Sequence, residues 1–377
     1  MRHTRTSLTL LLAALACSAA HAADRLPADR QAAIDAVVNA EIAKGHIPGA
    51  VVAVGHRQGL LFLRAYGQAV VKPEERPMRT DTIFDLASLT KPVATAPCVL
   101  LLAERGKISL DDPVAKHLPA FAAQGKGSIL IRHLLAHDSG LPAYVSAAPL
   151  AKAHGSVCPD AVIKTICSLK PLSAPGEKFR YSCLNYITLS RIVQIASQQP
   201  MDRFARENLF APLGMVDTAF NPPPAAHARL AGTTLSGGEH RPAQVHDPLA
   251  RLMGGVSGNA GAFSTAADLG RYCQALLNNG LGPAGRRVLS PRSVALLTTP
   301  QAHGRGYGFD VSSSYAWLKG DSFSKAAFCH SGFTGTSIVC DPAKNLFLIV
   351  LTNRVHPAGG GSVRTIRTAL ANLVAKN

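Results

Sequence analysis

The hydrophobic and polar positions of the chain predict a helix and a pair of strands at its start. Pro27 to Lys44 has helical periodicity, and it is followed by Gly45, a residue that often ends helices. The next stretch, GAVVAVGHRQGLLFLRAYGQAV, alternates between apolar and polar positions and is interrupted by turn residues at Gln58-Gly59. This pattern predicts a β-hairpin.

The end of the chain has a similar pattern. The stretches AFCHSGFTGTSIVC and NLFLIVLTN predict further strands, and Gly361 to Lys376 predicts a closing helix. From about Thr80 to Thr299 the pattern is mainly helical, with long loops. Strands at both ends with helices between them favour an α+β fold. We expect one antiparallel sheet, formed by the N- and C-terminal segments and flanked by helices, with an inserted, mainly helical region.

The first residues have the pattern of a secretory signal. A basic start and an apolar run precede the small-residue site Ala20-His21-Ala22. We predict a signal peptide over residues 1–22, cleaved after Ala22, and a periplasmic or secreted protein without a transmembrane span. A lipoprotein anchor at Cys17 is the less favoured alternative. The rest, 23–377, is predicted to be a single domain with an α/β part (27–80 and 300–377) and a helical insertion (about 81–299).

Composition narrows the classes of function. Of 377 residues, 47% are hydrophobic and 16% charged, so the chain can bury a substantial core and is not expected to be disordered. The net charge of +16 raises the question of nucleic-acid binding. The basic residues are scattered, however, and no run exceeds two, as at Arg286-Arg287. We expect a basic surface suited to anionic polymers and no nucleic-acid partner.

Eight cysteines are present, and seven remain once Cys17 is removed with the signal. Cys158 and Cys167 lie on a predicted helix, where nine residues separate their Cα atoms by about 13 Å, which exceeds the roughly 7 Å that a disulfide allows. Cys329 and Cys340 would face each other if their segment is a hairpin turning on Thr334-Gly335. The sequence leaves two alternatives open there: a disulfide, or two separate buried thiols, which we favour.

The stretch FDLASLTKPVAT places Ser88 and Lys91 three residues apart where a helical run begins. Residues at this spacing lie on one face of a helix, so the lysine can reach back to the serine hydroxyl. A serine becomes a nucleophile when a neighbouring base takes its proton. Lysine acts as that base only if its pKa is lowered. Alone, the S-x-x-K spacing is weak evidence, because it is more typical of an N-capping serine followed by a surface lysine. Pro97 predicts a kink soon afterwards.

Two further segments strengthen the interpretation as an active site. PGEKFRYSCLNY places Tyr181 and Ser182 after a Pro-Gly turn, and HSGFTG places His330 on a strand with Gly332 close by. The order S-x-x-K, then a Y-x-N-like motif, then H-x-G in place of K-T-G resembles the class C β-lactamases and their relatives, the D-Ala-D-Ala carboxypeptidases and β-lactamase-related esterases. The resemblance extends from about Ile34 to Leu373 and includes ILIRHLLAHDSGL and GGVSGNAGAFSTAADLGRY.

The resemblance implies the β-lactamase/transpeptidase-like fold and a serine hydrolase that works through an acyl-enzyme without a cofactor. Ser88 would be the nucleophile, Lys91 would share its proton network, and Tyr181 would be the general base and acid. The backbone N–H groups of Ser88 and Phe333 would form the oxyanion hole. His330 and Gly332 would flank the substrate on an edge strand.

Two departures from the family pattern bear on the substrate. Cys183 stands where the Y-x-N asparagine is usual, and Asn185 lies two positions further on. A thiol is a weak hydrogen-bonding group, so recognition of a substrate amide is weakened. His330 replaces the lysine of K-T-G and is mostly uncharged at neutral pH. We therefore expect the substrate to be a small-molecule carboxylic ester or a peptidoglycan-type D-amino-acid peptide.

The motifs are also compatible with other functions. The alternatives are a β-lactamase or D-Ala-D-Ala carboxypeptidase proper, and a non-catalytic, penicillin-binding-like sensor on the same scaffold. No metal is expected, because His133 and His137, although four residues apart, have no evident third ligand. His246 and Asp247 could line the cleft, although a role in fixing the loop is favoured. The sequence gives no indication of the oligomeric state.

Overall fold

The computed structural model describes residues 25–234, 243–357 and 361–376, so the predicted signal peptide and Cys17 lie outside the described residues. The α-helices are α1 (Ala28–Ala43), α2 (Ala96–Glu104), α3 (Val114–His117), α4 (Ile131–Ala136), α5 (Ala147–His154), α6 (Pro159–Ser168), α7 (Cys183–Ser197), α8 (Met201–Ala205), α9 (Pro248–Leu252), α10 (Ala266–Leu277), α11 (Pro291–Thr298) and α12 (Arg364–Ala375). The strands are β1 (Gly49–His56), β2 (Gly59–Val70), β3 (Arg76–Pro77), β4 (Phe84–Asp85), β5 (Ala219–Phe220), β6 (Ala262–Ser264), β7 (Phe328–Ser331), β8 (Ser337–Asp341) and β9 (Leu346–Thr352).

A six-stranded sheet is built from both ends of the chain. Its strand order is β3-β2-β1-β9-β8-β7, and every neighbouring pair is antiparallel. The hairpin predicted at Gln58-Gly59 is the β1–β2 hairpin, and the helix predicted from Pro27 is α1. The expected antiparallel sheet formed by the termini is therefore confirmed, and β7 is one of its edges.

The sheet lies between two hydrophobic layers because its central strands are apolar on both faces. In β1, Val51 and Ala53 belong to the larger core, which the middle of the chain covers. Ala50, Val52 and Val54 alternate with them and pack in a second core with α1 and α12. Successive strand residues point to opposite faces, so a strand buried on both sides has a continuous apolar sequence.

The β7–β8 hairpin decides between the two alternatives for its cysteines. Cys329 lies opposite Val339, whereas Cys340 lies opposite Phe328. This register is one residue away from the one that a turn centred on Thr334-Gly335 would give. The two sulfur atoms therefore point to opposite faces of the sheet, Cys329 into the smaller core and Cys340 into the larger. Both are free thiols, so a disulfide between them is ruled out.

The middle of the chain is mainly helical, but it also contains a small antiparallel sheet of order β4-β6-β5. Its strands are only two or three residues long, too short to leave an alternating pattern in the sequence. The sheet fixes the segment that leads into Ser88, because Phe84 and Asp85 pair with Ser264 and Phe263. In the described part of the chain, no helix combines the length and the apolar character needed to cross a membrane.

Candidate active site

The segment around Ser88 is wound more irregularly than the spacing predicts. Ala87–Leu89 forms a 3-10 turn, and Lys91–Thr95 is a π-helical turn that leads into α2. Pro97 has no N–H group to donate to the carbonyl of Val93, which accounts for the break in regular α-helix at the predicted kink. Ala87 adopts a left-handed conformation with φ of 46°, a strained value for a residue with a side chain. Its N–H donates to Oδ1 of the buried Asp85 at 2.8 Å.

Ser88 and Lys91 are in contact, as the spacing predicts. The Nζ of Lys91 donates to the Oγ of Ser88 at 3.1 Å and to the backbone carbonyl of Asn259 at 2.9 Å. Lys91 is fully buried, whereas Ser88 is partly exposed. The hydroxyl is therefore open to a substrate, while the amine behind it is shielded from water. This excludes the alternative of a surface lysine.

Tyr181 completes the group from a distant part of the chain. Its hydroxyl is within hydrogen-bonding reach of both Ser88 and Lys91. The Nζ of Lys91 lies 4.9 Å from the centre of its ring. The ring stacks on His137, with 4.4 Å between the ring centres, and on Tyr315 at 5.4 Å. An alcohol, an amine and a phenol thus converge, and aromatic neighbours fix the position of the phenol.

The charge states of this group follow from burial and from mutual interaction. Burial acts to lower the pKa of Lys91, but the negative charge that Cys183 and Tyr181 can carry more than offsets it, so this pKa is raised. Burial raises the pKa of Tyr181, and Lys91 acts in the opposite direction. At neutral pH the resting pair is therefore an ammonium and a phenol. The lowered pKa that Lys91 would need to act alone as the base is therefore not found.

The turn after β7 is tied to the Ser88 segment at several points. Thr334 Oγ1 donates to the Asp85 carbonyl at 2.7 Å, and Thr336 Oγ1 donates to the Leu86 carbonyl at 3.1 Å. A Cβ atom on Gly332 would collide with the Leu86 carbonyl and with Thr336, so this close approach requires a glycine. From α12, the buried Arg367 donates to the carbonyl groups of Gly332 and Thr336 at 3.1 and 2.8 Å.

The same turn carries the backbone N–H of Phe333, which the sequence predicts to be an oxyanion donor together with that of Ser88. Within the described residues, neither the N–H of Ser88 nor the N–H of Phe333 has a hydrogen-bond acceptor. Two unengaged N–H groups at a nucleophile are the arrangement that stabilises a developing oxyanion. The Phe333 side chain is 60% exposed. It stacks on His246 with 5.3 Å between ring centres, and the Arg354 guanidinium lies 4.6 Å from its ring centre.

His330 is buried on β7, with 6.1 Å between its ring centre and that of Tyr181. Its Nδ1 is 2.9 Å from the Ser331 carbonyl. A carbonyl can only accept, so Nδ1 carries the proton and the unprotonated Nε2 is a hydrogen-bond acceptor. Burial, followed by the charges of Arg305 and Lys91, lowers the pKa of His330 well below its ordinary value. The residue at the K-T-G lysine position is therefore neutral.

Cys183 and Asn185 take different positions relative to the cleft. Cys183 begins α7, and its Sγ is 3.7 Å from the Nζ of Lys91. Burial raises its pKa, so it is a thiol and not a thiolate. Asn185 is fully buried and cannot reach a substrate. Its side chain accepts from Ser139 Oγ at 2.6 Å and lies 3.4 Å from His137 Nδ1.

The histidine pair of α4 has structural contacts and not those of a metal site. His133 Nδ1 accepts from the Leu130 N–H at 3.1 Å, and His137 Nδ1 accepts from the Ser182 N–H at 3.1 Å. His137 lies just beyond the end of the helix in a left-handed conformation, so the two rings do not share a helical face. Among the described residues, no three His, Cys, Asp or Glu side chains are placed to hold a metal ion.

A cleft of about 840 Å³ lies between α5 and α9. Its wall includes Tyr144, Val157, Val245 and Arg251. The Tyr144 hydroxyl donates to the Asp247 carboxylate at 3.2 Å and accepts from the Leu249 N–H at 3.1 Å, which joins the two sides of this cleft. The Ser88 group does not line this cleft, but the carbonyl of Ala143, the residue before Tyr144, accepts from the N–H of Cys183 at 2.9 Å and links the cleft wall to the residue beside Lys91.

Comparison with known proteins identifies the family. The sequence model of the Beta-lactamase family matches residues 34–373. The chain belongs to the Beta-lactamase family. It is 33% identical over 322 residues to an Escherichia coli (strain K12) protein provisionally named a D-alanyl-D-alanine carboxypeptidase, with 78% of this chain and 74% of the relative covered. It is 32% identical over 365 residues to an N-acetylmuramyl-L-alanine amidase of Bacillus subtilis (strain 168), with 86% and 80% covered.

Solved structures of other proteins share the fold. EstCE1, described as a hydrolase with promiscuous acyltransferase activity, superposes with a TM-score of 0.73 at 23% identity and covers 91% of this chain and 98% of its own. A penicillin-binding protein homolog from Caulobacter crescentus gives a TM-score of 0.73 at 24% identity, covering 93% and 98%. The family predicted from the motifs, the fold and the assignment as a serine hydrolase are confirmed.

Several residues of this Beta-lactamase-family site were not found from the sequence. They are the carbonyl of Asn259, the stacking ring of His137, and the guanidinium groups of Arg305 and Arg367. Asn259 contributes a backbone atom, which no residue pattern reveals. Isolated arginines and histidines carry no motif that would have marked them.

Proposed function

We propose that this chain is an exported serine hydrolase that forms an acyl-enzyme on Ser88, with a carboxylic ester or a D-amino-acid peptide as its substrate. The observation that supports this most directly is the contact of the partly exposed Ser88 hydroxyl with the buried Lys91 amine, at 3.1 Å, under the hydroxyl of Tyr181. Export rests on the predicted signal peptide, which lies outside the described residues.

The proposed reaction begins when the Lys91–Tyr181 pair has lost one proton and can accept the proton of Ser88. The Ser88 oxygen then bonds to the substrate carbonyl carbon, and the carbonyl oxygen becomes an oxyanion that accepts from the N–H groups of Ser88 and Phe333. One such donor contributes about 3 to 4 kcal/mol in the transition state. Tyr181 returns the proton to the leaving group as its bond breaks. Water, activated by the same pair, hydrolyses the acyl-serine.

The choice of an ester over a β-lactam rests on Cys183. In its position beside Lys91, a neutral thiol offers only weak hydrogen bonds to a substrate amide. Asn185 does not replace it, because its amide is engaged with Ser139 and His137. An ester needs no hydrogen bond to a substrate amide, so its turnover is not affected by this loss.

Intact-mass analysis tests the proposal. Wild type and Ser88→Ala are exposed in turn to aryl esters, a cephalosporin and an acyl-D-Ala-D-Ala peptide. We expect an acyl adduct and steady turnover with the esters or the peptide in wild type, and neither adduct nor turnover in Ser88→Ala. Undiminished turnover by Ser88→Ala would contradict the assignment of the nucleophile. Faster hydrolysis of the cephalosporin than of any short-chain aryl ester would instead favour a β-lactamase.

The second candidate is a non-catalytic, penicillin-binding-like sensor on the same scaffold. It is favoured by the loss of both the usual asparagine, at Cys183, and the usual lysine, at His330. A sensor would give one burst of covalent labelling at Ser88 without further turnover. The same mass measurement, followed over time, separates this outcome from steady hydrolysis.

A further inference from the structure

A buried arginine lies behind the proposed catalytic group. Arg305 is fully buried, and its guanidinium carbon is 5.4 Å from the centre of the Phe179 ring and 5.9 Å from that of Tyr181. Its Nη1 forms an ion pair with Asp310. Two of its other nitrogens, Nε and Nη2, are buried and have no hydrogen-bond partner among the described residues. This is a permanent positive charge in surroundings that screen it weakly.

The backbone holds this arginine beside the edge strand. Asp310 and Cys329 exchange two backbone hydrogen bonds, each of 2.8 Å, so the segment from Arg305 to Asp310 is fixed along β7. His330 is the next residue of that strand. The arrangement therefore places a fixed cation near the residue that occupies the K-T-G lysine position.

The surroundings of His330 are dominated by cations. The charged groups that act on it are Arg305, Lys91 and Arg367, which come from three separate parts of the chain. The titratable rings near it are Tyr181, stacked on the other side by His137, and His137 itself. Asp310 is the acidic group of this neighbourhood, and its charge is paired with Arg305. A proton on His330 would thus add a fourth positive charge to a buried region.

The hydrogen bonds of His330 fix its tautomer as well as its charge. Nδ1–H donates to the Ser331 carbonyl, and Nε2 is buried without a partner among the described residues. A neutral histidine in this tautomer presents a lone pair, whereas a lysine would present an ammonium group. A lone pair does not attract a carboxylate.

We propose that Arg305 holds His330 as a neutral hydrogen-bond acceptor, so that the cleft selects substrates whose leaving group is uncharged over those whose leaving group carries a carboxylate. This inference rests on the proposed function, because it concerns the leaving group at the Ser88 site. It narrows the substrate class to esters of neutral alcohols and peptides with a blocked C-terminus.

Nuclear magnetic resonance of the imidazole nitrogens tests the first part without any need for turnover. In wild type we expect His330 to be protonated at Nδ1 and to stay neutral at neutral pH and well into the acidic range, since its pKa is lowered well below the ordinary value. In Arg305→Gln/Asp310→Asn, which removes both charges of the ion pair, the pH at which His330 gains its second proton should rise by about one unit. Arg305→Lys retains the positive charge, so His330 should titrate in this variant as it does in wild type.

Arg105→Gln is the matched control, since Arg105 also lies over an aromatic ring, that of Phe204 at 5.5 Å, but away from the cleft. It should leave the titration of His330 unchanged. Circular dichroism checks that each variant is folded. The role of Arg305 is refuted if His330 titrates at the same pH in wild type and in the folded double variant.

Matched esters test the selectivity. The 3-carbamoylphenyl and 3-carboxyphenyl esters of one acyl group differ only in the charge of the leaving group. Wild type should have the higher kcat/KM for the uncharged ester, and His330→Lys should move the ratio toward the carboxylate by about tenfold, as expected for a gained charge-assisted hydrogen bond. An unchanged ratio in His330→Lys refutes the selectivity. Absence of both acyl-enzyme and turnover with these esters and with a D-amino-acid peptide in wild type would refute the proposed function instead, while the resonance experiment would still decide the role of Arg305.

Discussion

Replacing Gly332 with alanine tests whether the turn after β7 must touch the Ser88 segment for catalysis. The new Cβ would overlap the carbonyl oxygen of Leu86 and the hydroxyl of Thr336. Relief of this overlap requires the turn and the Ser88 segment to separate by about 1 Å, a displacement that can cost about 100-fold in rate at a catalytic site. The N–H of Phe333 moves with the turn, so its hydrogen bond to the oxyanion is weakened or lost.

The loss of one oxyanion donor lowers kcat by about 10² to 10³, equivalent to about 3 to 4 kcal/mol. The added methyl group should also destabilise the fold by about 1 to 3 kcal/mol. The assay is kcat for a short-chain aryl ester at a temperature well below the midpoint of thermal unfolding, which is measured in parallel. Gly127→Ala is the control, because nothing lies within 4 Å of its added Cβ. A folded Gly332→Ala enzyme with kcat within about threefold of wild type would refute the reasoning.

Three further predictions concern nearby residues. Cys183→Asn should raise kcat/KM for an acyl-D-Ala-D-Ala peptide relative to an aryl ester by about tenfold, because an amide gains a hydrogen bond of about 1.5 kcal/mol that a thiol makes poorly; an unchanged ratio would contradict this. Asn185→Ala should lower the free energy of unfolding in urea by about 2 kcal/mol, since it removes buried hydrogen-bonding groups, and should leave that substrate ratio unchanged. Burial raises the pKa of Asp138 to about 6. The stability that accompanies its neutral form is therefore complete below about pH 4 and is lost as the pH rises through about 6. Asp138→Asn should be more stable than wild type by about 3 kcal/mol near pH 7.5 and nearly equal to it near pH 4. Equal urea midpoints at both pH values would exclude this.

The main sheet could be predicted because the residue patterns that specify its strands and turns lie in short, neighbouring stretches of the sequence. The apolar run of β1 and the turn residues at Gln58-Gly59 lie next to each other in the sequence, and their geometry confirms the expected hairpin. The small sheet was missed for the opposite reason. Asp85 and Ala219 belong to two-residue strands that pair with Phe263 of β6 from either side, and no short stretch of sequence contains that information.

The site was predictable to the extent that it uses short spacings. Ser88 and Lys91 are in contact because three residues make about one helical turn. The π-helical turn that begins at Lys91 does not separate them. The charge state of Lys91 could not be read in the same way, because it depends on Tyr181 and Cys183, about ninety residues away. Charge states that depend on such distant residues can be predicted only once the fold is known.

Asn185 cannot replace the Y-x-N asparagine, although it lies only two positions beyond Cys183 in the sequence. Consecutive residues of an α-helix are rotated by about 100°, so Asn185 points about 200° away from Cys183 on α7. Because Cys183 faces Lys91, Asn185 must face the opposite side, where its amide lies against Ser139 and His137. The asparagine therefore supports the ring that stacks on Tyr181 and cannot act on a substrate. An amide that is to face Lys91 from the start of α7 therefore belongs at position 183.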